Sequence, residues 1–280
     1  MRIAVTGAAG MLGRDLLRAA EAVNHEVVPL ARRELDVTDT GAVARRIAAA
    51  APDAVVNCAA YTDVDGAEGD LRAAMAANAE GAGAVAAAAA EAGSSVVYPS
   101  SDYVFDGSKG APYVESDEPR PLSVYAQSKL AGERMTTEAN PRHFVVRSAW
   151  LFGLAGRNFA DTMLRLASDH GEVIVVRDQV GSPTYTGHLA EAIVRLVDTD
   201  AYGVHHVAAA GECSWYELAL EVFRQAAVDC RVLSCATEEL ARPAPRPPYS
   251  ALATERPEAI LLPDWELGLA AYLDERARAA

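Results

Sequence analysis

The first 150 residues alternate short apolar runs with longer stretches in which apolar positions recur at helical spacing. The short runs are rich in apolar and β-branched residues, as in buried strands; they read RIAVTG, HEVVPLA, AVVNCAA, SSVVYPSS and RHFVVRSAWLFG. The longer stretches predict helices over residues 11–22, 40–51 and 68–92. Strands that alternate with helices in this way indicate βαβ units, so we expect a Rossmann-like α/β fold with a doubly wound parallel sheet.

Several candidate functional residues lie where these strands end. Right-handed crossovers bring the carboxyl ends of parallel strands to one edge of the sheet, which is where doubly wound sheets bind their ligands. Gly7, Ala60, Ser101 and Asp102 all lie at or just after such strand ends. This coincidence predicts a ligand site at that edge.

The alternation weakens after about residue 151. Amphipathic helices are predicted in DTMLRLAS, GHLAEAIVRLVD and SWYELALEVFRQAA, whereas the proline-rich residues 242–251 exclude a regular helix or a central strand. We therefore expect a sheet domain over residues 1–150, which also receives segments around 184–210. The remainder of residues 151–280 is expected to form a smaller, discontinuous lobe that closes over the sheet edge.

Composition removes several classes of function. A net charge of −14 over 280 residues argues against general binding to a nucleic-acid backbone, which needs a basic surface. No apolar window of about 18 residues predicts a membrane span, and the N-terminal run lacks a signal-peptide pattern, so we expect a cytoplasmic protein. Four scattered cysteines lack metal-site or disulfide spacing, and no metal site is predicted.

A glycine pattern follows the first predicted strand. Gly7, Gly10 and Gly13 are spaced as G-x-x-G-x-x-G, directly before the first predicted helix. Glycine lets the backbone approach a pyrophosphate closely, and the start of the helix offers free N–H groups and a favourable dipole to the anion. In a βαβ series this pattern predicts a dinucleotide site, so residues 1–150 are expected to bind NAD(P).

The residues after the second strand bear on which dinucleotide is bound. An acidic residue at this strand end would pair with the ribose of NAD, but this chain carries Arg32 and Arg33 near that position. Arginines suit a 2′-phosphate, so we expect NADPH as the cofactor, with NADH as the alternative. The competing interpretation of the two arginines is that they are solvated surface charges. Asp36 lies slightly further along and is expected to face the adenine end.

A tyrosine and a lysine, Tyr125 and Lys129, are four residues apart in a stretch of helical composition and so share one helix face. A phenol has an ordinary pKa of about 10, and a neighbouring ammonium is expected to lower the Tyr125 pKa toward neutrality, which suits proton exchange with a sugar oxygen. Ser101 ends a strand at the same predicted edge and can hydrogen-bond a carbonyl oxygen. The three side chains predict one catalytic group.

Taken together, these motifs resemble the extended short-chain dehydrogenase/reductases and, more narrowly, the dTDP-4-dehydrorhamnose reductase family. The narrower resemblance runs in order along nearly the whole chain; its segments are NCAAYTDVDGAE, SSDYVFDG, YAQSKLAGE, RSAWLFG, NF, DQVGSPTYT, RPPYSAL and LPDWELGL. It implies NAD(P)H-dependent reduction of the C4 ketone of a nucleotide-linked 4-keto-6-deoxyhexose. One departure is Asp63 and Gly66 in AAYTDVDGAE, which places an additional acid near the expected pocket mouth and leaves the preferred sugar open.

The resemblance implies roles for individual residues. Ser101, Tyr125 and Lys129 would form the catalytic group, and the last two would also contact the cofactor. The other expected cofactor positions, including those of the loop and the arginine described above, are Gly7, Gly10, Met11, Leu12, Gly13, Arg32, Asp36, Val37, Ala60, Tyr61 and Thr62. The expected substrate positions are Val64, Ser101, Asp102, Tyr103, Trp150, Asn158, Gln179 and Arg246.

Some of these residues have competing structural roles. Arg246 is expected to offer its planar fork to a diphosphate oxygen. Trp150 would serve equally well in core packing, and Asp102 could cap its turn. Asn78 is expected to hold the sheet edge through backbone hydrogen bonds rather than to contact a ligand.

Four alternatives stay open at this stage. A 4-ketoreductase of a secondary-metabolite pathway would use the same residues with different stereochemistry. A sugar-nucleotide 4,6-dehydratase would need a second carboxylate after Asp102, where Tyr103 stands, and an epimerase would hold NAD tightly, which the arginines after the second strand disfavour. The fourth alternative is a non-catalytic regulatory subunit of the same fold. We expect a homodimer as a possible oligomeric state.

Overall fold

A computed structural model describes residues 1–279. Its strands are β1 (Arg2–Thr6), β2 (Glu26–Leu30), β3 (Ala54–Asn57), β4 (Ser95–Ser101), β5 (His143–Ser148), β6 (Leu151–Phe152), β7 (Glu172–Val176), β8 (Val180–Gly181), β9 (Thr184–Tyr185), β10 (Gly203–His206), β11 (Cys213–Ser214) and β12 (Arg231–Cys235). Its α-helices are α1 (Met11–Ala22), α2 (Thr40–Ala50), α3 (Val64–Gly69), α4 (Leu71–Met75), α5 (Gly81–Glu91), α6 (Val124–Ala139), α7 (Phe159–Asp169), α8 (Thr186–Val197), α9 (Trp215–Ala226), α10 (Thr237–Leu240) and α11 (Trp265–Ala279).

Six of these strands form one parallel sheet in the order β10-β5-β4-β3-β1-β2. Both faces of the sheet are buried, which explains why its strands are continuous apolar runs rather than alternating ones. Ile3 and Val5 of β1 pack with α1 and α8 on one face, and Ala4 between them packs with α2 and α5 on the other. This arrangement confirms the predicted doubly wound α/β fold.

The C-terminal residues form a second apolar cluster. Met163 of α7, Val222 of α9 and Leu269 of α11 are buried together. Three short two-stranded ladders accompany them, formed by β7 with β12, β8 with β11 and β6 with β9. The sixth strand of the main sheet, β10, comes from this later part of the chain. None of the described helices is long and apolar enough to cross a bilayer.

The helical stretch predicted over residues 68–92 is confirmed from Leu71 to Glu91 and is interrupted at Asp70. The Asp70 backbone leaves the helical region at φ −143°, and its carboxylate accepts a hydrogen bond from the Ala73 amide at 3.0 Å, so a new helix begins there. A π-helical turn over Ala76–Glu80 then separates α4 from α5. The spacing of apolar residues does not reveal these changes, because apolar residues recur at helical spacing on both sides of them.

The predicted single strand in RHFVVRSAWLFG is also interrupted. β5 ends at Ser148, and Trp150 adopts a left-handed φ of +46° before β6 begins. β6 then pairs with β9 rather than with the main sheet. A tryptophan in this conformation is unusual because its Cβ crowds the backbone, and its ring stacks on that of Trp215.

Candidate active site

The glycine-rich loop forms a close turn between β1 and α1. Gly7 has a φ of +60°, and a Cβ at this position would lie 2.6 Å from the Ala59 amide nitrogen. The Gly10 amide donates to the Gly7 carbonyl at 2.9 Å, and no side chain caps the start of α1. The first N–H groups of α1 are therefore available to an anion, and the loop is shaped for a dinucleotide pyrophosphate. Met11 is half-buried, and Leu12 and Gly13 are buried beneath the loop.

We expect Gly13→Ala to damage this loop. A Cβ at residue 13 would stand 2.5 Å from the Gly7 carbonyl oxygen and 2.9 Å from the Ala8 Cα, both of which are backbone atoms that cannot turn aside. The free energy of unfolding should fall by about 1–3 kcal/mol, and the NADPH dissociation constant should rise about tenfold. Gly69→Ala is the control because the space around that position is open. Equal NADPH titrations for the two variants would contradict this account of the loop.

The expected adenine side of the site follows β2. The Arg32 side chain is 90% exposed and lies 3.5 Å from the Asp36 carboxylate, and Arg33 is similarly exposed. Hydrogen bonds from Thr38 hold the pKa of Asp36 below its usual range. The side chain of Val37, by contrast, is buried in the core against α5, so only its backbone is placed to face a ligand.

The backbone of the segment after β3 is held in place by hydrogen bonds to one amide side chain, that of Asn78. Asn78 Oδ1 accepts from the Tyr61 amide at 2.8 Å, and its Nδ2 donates to the Tyr61 carbonyl at 3.0 Å and to the Ser128 hydroxyl at 2.9 Å. This is the backbone-holding role expected for Asn78. Ala60 and Thr62 on either side remain exposed, and Val64 begins α3 half-buried.

Ser101 and Tyr125 lie together at the carboxyl end of β4. The Ser101 hydroxyl accepts from the Tyr103 amide at 3.2 Å and donates to the Asp102 carboxylate at 3.0 Å. The Tyr125 ring stands edge-on to the Tyr103 ring, with centroids 6.4 Å apart. Ser123 caps α6 two residues before Tyr125, which fixes the start of the helix and therefore the position of Tyr125 in its first turn.

The pKa of Tyr125 lies in the direction opposite to the one expected from the sequence. Burial, followed by the charge of Asp102, raises the Tyr125 pKa to about 12, and a hydrogen-bonding contribution from Ser101 lowers it only in part. Lys129 does not contribute to this shift, and its ammonium donates to the Pro99 carbonyl. The phenol therefore holds its proton firmly at neutral pH, and the prediction of a lowered pKa is wrong.

Lys129 is buried beneath the strand end, one helical turn from Tyr125. Its Nζ donates to the Pro99 carbonyl at 2.7 Å and lies 4.1 Å from the centre of the Tyr98 ring. Pairing between β3 and β4 stops at Val97, so β4 accommodates a proline at this point and leaves its carbonyl to the lysine. Burial lowers the Lys129 pKa to about 8, against the raising effect of Glu133.

Asp102 is a buried carboxylate that directly follows β4, as expected from the sequence. Its hydrogen-bond partner Ser250 was not expected. Ser250 donates a hydrogen bond to Oδ2 of Asp102, and Ser101 donates to Oδ1. Burial raises the Asp102 pKa to about 7. Ser101, rather than Asp102, caps the turn. The only sequence signal for Ser250 is its position in the RPPYSAL segment, because a contact across 148 residues leaves no local pattern.

The expected substrate tryptophan is part of an aromatic stack. The Trp150 and Trp215 rings are parallel, with centroids 3.5 Å apart, and Gly181 packs so closely that a Cβ there would meet the Trp150 indole at 2.5 Å. Trp215 Nε1 donates to Gln179 Oε1 at 3.2 Å, so Gln179 reaches Trp150 through Trp215. Trp215 was missed because its amphipathic helix indicates only core packing.

Two expected substrate residues have other partners in the structure. Asn158 is buried, caps α7 through the Asp161 amide at 2.9 Å and donates to the Gly153 carbonyl at 2.9 Å. Arg246 is engaged with a protein partner, because its Nη1 and Nη2 atoms donate to the two Asp65 carboxylate oxygens at 2.9 and 3.0 Å. Asp63, expected at the pocket mouth, caps α3 by accepting from the Gly66 amide at 2.9 Å.

Comparison with known proteins agrees with this architecture. A family model described as the RmlD substrate binding domain matches residues 1–278. The dTDP-4-dehydrorhamnose reductase of Mycolicibacterium smegmatis is 43% identical over 275 residues, covering 96% of this chain and 84% of that protein.

Two solved structures extend the comparison. The dTDP-4-dehydrorhamnose reductase from Clostridium acetobutylicum superposes with a TM-score of 0.96 at 41% identity, covering 99% of this chain and 100% of that one. The enzyme from Bacillus anthracis, solved in complex with NADP, has a TM-score of 0.95 at 38% identity, covering 98% and 99%. The chain belongs to the dTDP-4-dehydrorhamnose reductase family.

Proposed function

We propose that this protein uses NAD(P)H to reduce the C4 ketone of a nucleotide-linked 4-keto-6-deoxyhexose, converting dTDP-4-dehydro-L-rhamnose to dTDP-L-rhamnose or forming a related dTDP-deoxysugar. The observation that carries the proposal is that Ser101 ends β4, and Tyr125 stands against the neighbouring Tyr103, at the same sheet edge as the uncapped start of α1. Family membership over nearly the whole chain supports the same reaction.

The reaction needs a hydride and a proton at opposite ends of one carbonyl bond. When bound, the reduced nicotinamide supplies the hydride to the sugar C4. Tyr125 donates its hydroxyl proton to the C4 oxygen as negative charge develops there, which leaves a phenolate. Ser101 donates a hydrogen bond to the same oxygen, in place of the hydrogen bond that it donates to Asp102 in the structure. A phenol that stays protonated at neutral pH suits this role as an acid.

Lys129 and Asp102 have different parts near the phenol. At neutral pH most Lys129 side chains are protonated, since the lysine pKa of about 8 lies above it. This ammonium does not shift the Tyr125 pKa, so its proposed part is to contact the cofactor. Ionised Asp102, by contrast, favours the protonated phenol. Burial and the Asp102 charge therefore keep the proton on Tyr125 until the carbonyl oxygen accepts it.

NADPH is the proposed cofactor, with NADH as the alternative. The exposed arginines after β2 fit a 2′-phosphate, and the Bacillus anthracis relative was solved with NADP. Arg32→Ala combined with Arg33→Ala should lower kcat/KM for NADPH about 10- to 100-fold, the loss expected for one or two charge-assisted hydrogen bonds. The value for NADH should not change, because that cofactor lacks the phosphate.

Steady-state kinetics with both cofactors measure this selectivity. Arg46→Ala removes an equally exposed charge from α2 and serves as the control. An NADPH preference that survives the double substitution would remove the arginines from cofactor selection.

A direct assay tests the proposed reaction. Purified protein is mixed with NADPH or NADH and a dTDP-4-keto-6-deoxy sugar, and the absorbance of the reduced nicotinamide is followed. Product analysis by NMR then distinguishes the two C4 epimers and so separates rhamnose formation from a related deoxysugar pathway. Absence of cofactor oxidation with every 4-keto sugar nucleotide would contradict the proposal and favour a regulatory subunit of the same fold.

Three further expectations belong to this proposal. Residues 1–150 with segments around 184–210 would hold the cofactor, and most of residues 151–280 would hold the sugar nucleotide. A homodimer and a cytoplasmic location stay predictions, and gel filtration and fractionation would test them.

A further inference from the structure

A proline-rich strap, residues 242–251, crosses the predicted substrate side of the site without regular structure. Its far end is tied to the body of the protein, since the Val180 and Pro248 backbones are hydrogen-bonded at 2.9 Å and Ser250 donates to Asp102. Its near end has a different anchor, the single side chain of Asp65. Asp65 lies in the first turn of α3, beside the expected substrate residue Val64.

Asp65 gathers three residues of the strap. Its carboxylate accepts from Arg242 Nη1 at 3.3 Å, from the Ala244 amide at 3.2 Å, and from Arg246 at 2.9 and 3.0 Å. The hydrogen bonds from Arg246 are the main reason that the Asp65 pKa is lowered. Asp65 is therefore a charged anchor at neutral pH, and its interaction with Arg246 is bidentate, the strongest form that this pair offers.

These contacts decide which edge of the Arg246 guanidinium stays available. Nη1 donates both to Asp65 and to the Ala244 carbonyl, at 2.9 and 2.8 Å, and Nη2 gives one hydrogen to Asp65. A guanidinium has five N–H donors, so Nε–H and the second Nη2–H remain for the Tyr103 hydroxyl and for a ligand, and these two share the other edge of the planar group. That edge is a second fork of the kind that fits phosphate oxygens.

The neighbours of Arg246 connect it to the proposed catalytic tyrosine. Its side chain is 11% exposed, so it is not a mobile surface group. A hydrogen-bonding contribution from Arg246 opposes the burial that raises the Tyr103 pKa, and the Tyr103 ring stands against Tyr125. Asp65, Arg246, Tyr103 and Tyr125 thus form one connected row from α3 to the catalytic phenol.

We infer that Asp65 is a positioning residue for the sugar nucleotide: its carboxylate orients Arg246 so that the free guanidinium edge receives the substrate diphosphate. The inference rests on the proposed function for the identity of the substrate. Asp65 itself does not touch the substrate; it acts by fixing the orientation of the arginine before binding, so that less ordering is needed when the diphosphate arrives.

Asp65→Asn tests this inference against a close control. The substitution keeps the size of the side chain but loses the charge and one acceptor oxygen, so KM for the sugar nucleotide should rise about tenfold while kcat stays nearly constant. Asp70→Asn removes the same charge five residues away, at the start of α4, and asparagine caps a helix as well as aspartate does. That control should leave KM unchanged.

Calorimetric titration with dTDP and with thymidine separates positioning from a general structural effect. Asp65→Asn should weaken dTDP binding about tenfold, in line with KM, and should leave thymidine binding unchanged, because only dTDP carries the diphosphate. Asp65→Glu keeps the charge and should give an intermediate loss, which keeps the test usable if the asparagine variant folds poorly. Binding of dTDP is measured without turnover, so it answers this question even if the proposed reaction proves wrong.

Two results would overturn the inference. Tighter dTDP binding by Asp65→Asn would show that Asp65 competes with the diphosphate for Arg246 instead of presenting it. Equal dTDP binding by the Asp65→Asn and Asp70→Asn variants would show that the ion pair only fastens the strap.

Discussion

Replacing Tyr125 with phenylalanine is expected to lower kcat for the reduction about 100- to 10,000-fold, the usual contribution of a positioned general acid. Phenylalanine keeps the ring that packs edge-on against Tyr103 and removes only the hydroxyl. The developing oxyanion then loses its proton donor, while Ser101 still offers a hydrogen bond. The melting temperature should change little, because the core is untouched.

The neighbouring phenol supplies the matched comparison for this prediction. Tyr103 lies beside Tyr125, and burial likewise raises its pKa, but its hydroxyl is associated with Arg246 and not with Ser101. Tyr103→Phe should therefore change KM more than kcat. Stopped-flow measurement of a single turnover isolates the chemical step in both variants. A large loss of the single-turnover rate in Tyr103→Phe, with little loss in Tyr125→Phe, would show that Tyr103 donates the proton and that the mechanism above names the wrong tyrosine.

The fold was predictable where local pattern and long-range packing agree. Ile3 and Val5 face one layer of helices and Ala4 the other, so a run of apolar residues was enough to mark a buried parallel strand. The pattern failed where one side chain overrode it. Asp70 starts a new helix by capping its amides, and Trp150 turns the chain out of the sheet with a left-handed φ.

The candidate site was predictable to the extent that topology determines it. Parallel strands with right-handed crossovers bring their ends to one edge, so the meeting of Ser101 and Tyr125 followed from the order of strands and helices. The partners of the predicted residues were not predictable in this way. Asp65 and Arg246 are 181 positions apart, and no spacing rule connects them. The Tyr125 pKa required the burial and the neighbouring Asp102 charge, which only coordinates supply.

A buried ion pair beneath the site should dominate the stability of this region. Arg147 on β5 donates to both carboxylate oxygens of Glu133 on α6, at 2.9 and 2.7 Å, and the two side chains are only 5% and 6% exposed. Ser100, which precedes Ser101, donates to the same carboxylate at 2.5 Å. The pair therefore joins the catalytic helix to the two strands whose ends form the site.

Arg147→Met is expected to lower the free energy of unfolding by about 3–5 kcal/mol, because it leaves the Glu133 carboxylate buried without its counter-charge. Arg165→Met is the control, since Arg165 pairs with Asp169 at the surface and such pairs contribute about 1 kcal/mol or less. Urea titration measures both losses. The double variant Glu133→Leu/Arg147→Met removes both charges together and should recover much of the stability lost in the single variant. A double variant less stable than Arg147→Met would contradict this account, because desolvation of the carboxylate would then not be the source of the loss. The loss would instead come from the packing of Arg147 over the Phe105 ring.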